Sequence, residues 1–358
     1  MPDITIHAIA PRSHDECRRA RPTPAIIDSM RIAWLLLLST LSIALVSIPA
    51  FTQQATRTVA ITIDDLPFIT GDESRPMSPA DAKLAEQSNR KLLAVLARHH
   101  VPVTGFVIQH GVESLGSEAG TAILRNWVRQ GFDLGNHSYE HPNFNDLTVA
   151  QFEDQVIRGE SLIKPLMESE NRQLQFFRFP YNHTGDTKEK HDALAAFLAQ
   201  RGYRLAPCTI ETEDWMFTER LFRMRAHHKE DDASRLLQAY LDFTAAQIDY
   251  FAALNKQIFG YEPPEILLIH DNPLNAEMID RVLGLFEQRG YRFVTLTQAE
   301  SDPAYATPET FITSYGPMWS YRWAKVKGIH VDGSKEPDPP AWILNYEKPP
   351  ATPPHQKS

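Results

Sequence analysis

The chain has 358 residues, 42% hydrophobic and 23% charged, which suits a globular enzyme with one large core or two modest ones and argues against pervasive disorder. Its 36 Lys and Arg against 45 Asp and Glu give a formal charge of −9. No dense basic run follows the export-like segment described next, so a nucleic-acid partner is not expected.

Met30 and Arg31 open a short positive region, Ile32 to Ile48 form an almost unbroken apolar stretch around Leu36-Leu37-Leu38, and Pro49-Ala50 then offers a break beside a small residue. The pattern predicts a signal peptide or N-terminal anchor over 30–55, with 1–29 a mis-called start or an unusual leader. The expected location is therefore periplasmic or secreted, with membrane contact only through an uncleaved leader. A retained anchor and a buried core helix are the alternatives. The two cysteines are Cys17, upstream of this segment, and Cys208, so removal of the leader would leave no intramolecular disulfide. Cys208 follows an apolar run and reads as a packed thiol.

Strands and helices then alternate. Strands are expected at Arg57 to Ile63, Pro102 to Val107, Phe132 to Gly135, Leu174 to Phe177, Tyr203 to Pro207, Glu265 to Ile269 and Tyr291 to Leu296. Helical spacing fills the intervals: Ser78 to His100 with a serine-proline start, Gly120 to Gln130, Thr148 to Met167, Thr187 to Arg201, a long helix within Asp231 to Phe259, and Asn275 to Arg289. Repeated strand-helix units imply a parallel sheet, and seven strands suit a distorted barrel, with a doubly wound open sheet as the alternative. The catalytic domain is placed at 56–300. Beyond Ser301 the alternation stops, and 301–358 is a proline-rich extension, carrying Trp319, Trp323 and Trp342, that is expected to pack in part and to end loosely.

Unusual polar residues follow successive predicted strands. Thr62-Ile63-Asp64-Asp65 follows the first, His137-Ser138-Tyr139-Glu140-His141 the third and Arg178-Phe179-Pro180-Tyr181 the fourth. Asp214-Trp215 follows the fifth at some distance, and the sixth runs into His270-Asp271. In a parallel barrel all these segments emerge at the carboxyl rim, where catalytic groups converge. The interval of four between His137 and His141 would put both imidazoles on one side of a single helical turn. With an acidic residue from the first strand they form a two-histidine, one-carboxylate set suited to a metal with open positions. A lone pair at this interval is weak evidence; the convergence of strand ends is what favours the metal. Adjacent Asp64 and Asp65, set between Val59-Ala60-Ile61 and Leu66-Pro67-Phe68, would repel unless a cation and an arginine lie close.

In these five ordered motifs, from Val59 to Leu296, the sequence resembles the polysaccharide deacetylase family, the NodB-homology group of carbohydrate esterases. The resemblance implies a distorted (β/α)7 barrel with a helical insertion at about 217–262 and an irregular C-terminal extension. It implies that Asp65, His137 and His141 hold one divalent metal ion, zinc first, with cobalt, nickel or manganese as substitutes. Asp64 would be the general base, Arg178 its orienting partner, His270 the general acid and Asp214 the holder of His270. The backbone N–H of Tyr181 would face the oxyanion, and Trp215 and Leu268 would wall the acetyl methyl. The implied substrate is an N-acetylated amino-sugar glycan: peptidoglycan, a chitin-like oligomer or an exported polysaccharide.

The chain departs from the family pattern in two places. Asn182-His183 follows Tyr181 where many relatives have glycine, and His183 reads as an exposed loop residue. The insertion, with its charged run His227-His228-Lys229-Glu230-Asp231-Asp232, reads as a solvated helix pair, and Glu211 and Glu213 as a solvated turn. Two other functions stay open: the same site acting on a non-sugar amide or acetyl ester, and a non-catalytic glycan-binding relative. The last would lack a base, acid or ligand, and none is missing here.

Overall fold

In the computed structural model, residues 57–71 and 75–346 are described. The leader and signal expected at 1–55, and the chain end expected to be loose, lie outside them. Among the described residues eight strands occur: β1 (Thr58–Leu66), β2 (Val103–Val107), β3 (Asp133–Asn136), β4 (Phe176–Phe177), β5 (Arg204–Leu205), β6 (Ile210–Glu211), β7 (Glu265–His270) and β8 (Arg292–Phe293). Every pairing is parallel, and the sheet runs β5-β4-β3-β2-β1-β7-β6, with β8 added against β1. The sequence foresaw all of these except β6. β5 and β6 are the two ends of the path, so the ladder leaves a seam between them, spanned by residues 206–209. This is the distorted (β/α) barrel expected of the sequence.

The helices are α1 (Pro79–Arg98), α2 (Gln109–Ser114), α3 (Ser117–Arg129), α4 (Val149–Gly159), α5 (Ile163–Ser169), α6 (Lys188–Gln200), α7 (Asp214–Ala226), α8 (Glu230–Phe259), α9 (Pro273–Gln288), α10 (Leu296–Ala299), α11 (Trp319–Val326) and α12 (Ala341–Leu344). Their starts follow local chemistry. Ser78 caps α1 in a reciprocal box with Asp81 and with Pro79 at the first position, Thr148 and Gln151 do the same for α4, and Asn272 caps α9. The helix expected over Thr148 to Met167 is two helices, α4 and α5, broken across residues 160–162.

The insertion is a helix pair, α7 and α8, but it is not solvated. α8 buries Leu236, Tyr240, Phe243, Gln247, Phe251 and Ile258 along one face and joins the principal core, while the charged run 227–232 occupies the turn between the two helices and the first turn of α8. The physical reason is the 3.6-residue period of the apolar positions, which a solvated helix would not carry. Among the described residues, no helix is long and apolar enough to cross a membrane.

The large core, including Ile61, Ile63, Trp127, Ile210, Leu267 and Ile269, lies between the sheet and the helices. A second, small cluster of Ala60, Phe106, Phe176, Ala206 and Ile266, with Leu296 and Ala299 of α10, fills the barrel interior. Side chains alternate along a strand, so the interior row of β1 continues Ala60, Thr62, Asp64. By the same period Phe176 leads to Arg178, and Ile266 to Leu268 and His270. The polar residues are thus the upper continuation of an inward-facing apolar layer.

Candidate active site

Asp64 and Asp65 are neighbours in a strand and should point to opposite faces. β1 resolves this with an irregularity: its register against β2 shifts between Ile63 and Leu66, and Asp65 takes a left-handed backbone with φ 63°. A bulge of this kind re-aims a side chain. Asp64 Oδ2 lies 3.6 Å and Asp65 Oδ1 3.5 Å from the same atom, His137 Nε2.

His137 and His141 do come together, with ring centroids 4.8 Å apart, but not on a helical turn. They sit on a loop in which Ser138 and His141 are left-handed, with φ 71° and 58°. The loop is fixed from outside. Backbone N–H groups of Gln109 and His110 donate to the carbonyls of Ser138 and Tyr139, Gln155 Oε1 accepts from the Glu140 N–H, and Ser138 Oγ accepts from the His141 N–H. Gly159 lets α4 approach: a Cβ there would lie 2.5 Å from Asn136 Oδ1 and 2.8 Å from the Ser138 carbonyl carbon.

His137 Nδ1 donates to the Arg178 carbonyl at 2.8 Å, since a carbonyl can only accept. That leaves Nε2 with its lone pair toward Asp65. Burial, then the neighbouring His141, pushes the His137 pKa down to about 3, so the ring is neutral and able to ligate. His141 Nε2 lies 3.6 Å from the same Asp65 oxygen. That oxygen, Asp65 Oδ1, is buried without a hydrogen-bond partner, and the ligand atoms of Asp65, His137 and His141 all fall within 4.8 Å of one another. A buried carboxylate oxygen facing two imidazole nitrogens without a hydrogen bond is costly unless a cation joins them, so the residues fit a metal.

Arg178 is 1% exposed and fully engaged. Nη1 donates to Asp64 Oδ1 and Thr62 Oγ1, Nη2 to the Pro207 carbonyl and Nε to the Ala206 carbonyl, with the guanidinium 4.4 Å from the Phe106 ring centroid. It therefore ties the base candidate to the seam between β5 and β6. Facing it across the β1 and β7 ladder, where Asp64 pairs with His270, stands the second pair. His270 Nδ1 donates to Asp214 Oδ1 at 2.8 Å, and Asp214 Oδ2 accepts from the His270 N–H, Asn272 and Asn275. Burial lowers the His270 pKa, but the Asp214 charge and hydrogen bond, with Asp65 and Asp64, carry it up to about 10.

Tyr181 has φ 57° and ψ 14°, and its ring centroid is 4.6 Å from that of His141, so the residue borders the cluster. Leu268 is buried on the inner face beside Thr62. Trp215 is 45% exposed in the first turn of α7 and is not a core residue.

Three readings need correction. His183 is half-buried, its Nδ1 2.7 Å from Asn143 Oδ1, because the 180–183 turn folds it against the Asn143 loop. Glu211 is not in a solvated turn: β6 pairs it with Leu268, and burial together with the Glu213 carboxylate raises its pKa. Glu213 is likewise partly buried and raised, by burial and then by Asp214. The strand signal here is two residues long, which is why the sequence did not mark them. Asn272 and Asn275 were also missed as site residues, although the cap spacing in Asn272-Pro273-Leu274-Asn275 is visible in the chain. Cys208 is a buried free thiol, as expected.

The sequence model "Polysaccharide deacetylase" matches residues 52–202, which include Asp64, Asp65, His137, His141, Arg178 and Tyr181. The chain is 23% identical over 211 residues to a peptidoglycan-N-acetylglucosamine deacetylase of Bacillus cereus, a match covering 58% of this chain and 61% of that protein. It is 27% identical over 125 residues to a chitooligosaccharide deacetylase of Sinorhizobium fredii, covering 35% and 52% of the two chains. Among solved structures it is similar to a CE4 family pseudoenzyme from Bacillus anthracis, at 18% identity and a TM-score of 0.45 over 68% of this chain and 66% of that one. The matches thus span less than two thirds of those two relatives' lengths. Over residues 52–202 the sequence match and the ordered motifs together make the chain similar to the polysaccharide deacetylase family.

Proposed function

We propose that this protein is a metal-dependent hydrolase that removes N-acetyl groups from an amino-sugar glycan outside the cytoplasm. The observation that carries the reading is the buried, unpartnered Asp65 Oδ1 facing Nε2 of both His137 and His141. Two relatives whose names specify N-acetylglucosamine and chitooligosaccharide substrates support the amino-sugar part.

Asp65, His137 and His141 would hold the ion, with zinc favoured by the nitrogen and oxygen donor set and cobalt, nickel or manganese as substitutes. When bound, such an ion supplies Lewis acidity, acidifying water and polarising a carbonyl. The rest is done by the chain. Asp64, held in place by Arg178, takes a proton from the attacking water. The Tyr181 N–H stabilises the developing oxyanion. His270, held by Asp214 through Nδ1, presents Nε2 and donates a proton to the departing sugar nitrogen, which could not leave as an amide anion. Leu268 and Trp215 limit the acyl group to something small. An exported location fits a cell-wall or extracellular glycan.

The test is metal content of the purified protein, with acetate release measured on N-acetylchitooligosaccharides and peptidoglycan beside small amides and aryl acetates. Stoichiometric metal with release from the amino sugars supports the reading. Release only from the small amides or aryl acetates assigns the site to another substrate. Full activity in metal-free His137→Ala protein would overturn it.

A further inference from the structure

The extension beyond residue 301 lies outside the matched residues 52–202, yet it reaches the site. Tyr181 and Asn182 are consecutive non-glycine residues with left-handed backbones, φ 57° and 54°. L-residues visit that region singly and at a cost, so a pair of them needs outside restraint.

The extension supplies it. Arg322, 1% exposed, donates from Nη2 to the Asn182 carbonyl at 2.5 Å and from Nη1 to Thr184 Oγ1 at 2.8 Å. Its guanidinium is fixed in turn by Nε to the Pro317 carbonyl, by Glu309 Oε1 at 3.2 Å from Nη1, and by the Trp319 ring, 4.5 Å to centroid. Glu309 ties this group to His191 of α6. Gly316 packs directly on the neighbouring carbonyl: a Cβ there would lie 1.8 Å from the Tyr181 oxygen and 2.9 Å from Asn182 Cβ. The Trp319 N–H donates to the Cys208 carbonyl, in the seam where the β-ladder is broken. Both carbonyls of the strained pair are thus touched by one strap.

We infer that the C-terminal extension is a working part of the site, and that Arg322 and Gly316 are positioning residues holding the Tyr181–Asn182 turn in its reactive geometry. The inference rests on the deacetylase reading for its chemical consequence, but not for its structural one. Lysine at 322 has no planar fork to serve two acceptors at once, and any side chain at 316 must push the turn away.

The experiment uses the full chain, metal-loaded, with Arg322→Lys and Gly316→Ala. Thermal unfolding, metal content, amide hydrogen exchange at residues 181–184, and kcat and KM on an N-acetylchitooligosaccharide are measured. The expected result is faster exchange confined to 181–184 and kcat lower by roughly 10- to 100-fold, with KM, metal content and the unfolding transition retained. Variants that keep wild-type exchange and kcat would overturn the inference. So would global unfolding of both, because the extension would then be a stability element alone. Altered exchange in a protein whose wild type releases no acetate leaves the positioning role standing and removes the deacetylase reading instead.

Discussion

Arg178 Nη1 donates to Asp64 Oδ1 at 2.8 Å, joining two side chains 114 residues apart that are both nearly inaccessible to water. Such a pair owes little to screening by solvent and much to completeness. Removing one partner leaves a buried charge unpaired. Arg178→Ala should lower the urea unfolding free energy by about 3–5 kcal/mol, and equilibrium denaturation checks this.

Asp64→Asn separates base from ligand. The amide cannot take a proton, while Asp65, His137 and His141 keep their arrangement. Metal content by elemental analysis should stay stoichiometric as kcat falls by about 10²- to 10⁴-fold. His137→Ala, by contrast, should lose the metal itself.

Asp214 raises the His270 pKa to about 10, so His270 is protonated throughout the neutral range. A group raised in the folded state contributes stability that is complete below its unfolded value, near 6.5, and is lost as pH rises through about 10. In Asp214→Asn the alkaline limb of kcat/KM should move to lower pH by roughly 1–3 units, and the stability advantage of neutral over alkaline pH should shrink. A pH-rate profile with an unmoved alkaline limb would show that His270 is not the titrating acid.

Gly159→Ala adds one methyl where α4 meets the metal loop. With Asn136 Oδ1 2.5 Å away, the helix or the loop must give. The alanine favours helix by itself, so any loss comes from the contact. Metal affinity should weaken by about 10- to 100-fold in a chelator competition, without contact between the new methyl and the ion.

Some of this was legible early. Strand-ending polar residues such as Asp64, Arg178 and His270 could be assigned to one rim because an inward row has a period of two and parallel strands share one carboxyl end. Other features were not. The turn between His137 and His141 looked helical by spacing, but its left-handed residues come from hydrogen bonds to α2 and α4, which lie outside that stretch of sequence.

The sequence alone determined the order of the elements apart from β6, the types of side chain offered at each strand end, and the starts of α1 and α4, since each depends on residues within a few positions of one another. Only the tertiary structure decided that a bulge turns Asp65 toward the same histidine as Asp64, that Glu211 is partly buried beside Leu268, and that Arg322 reaches back to Asn182. Those outcomes depend on close approach between distant segments, where packing and desolvation outweigh any local preference.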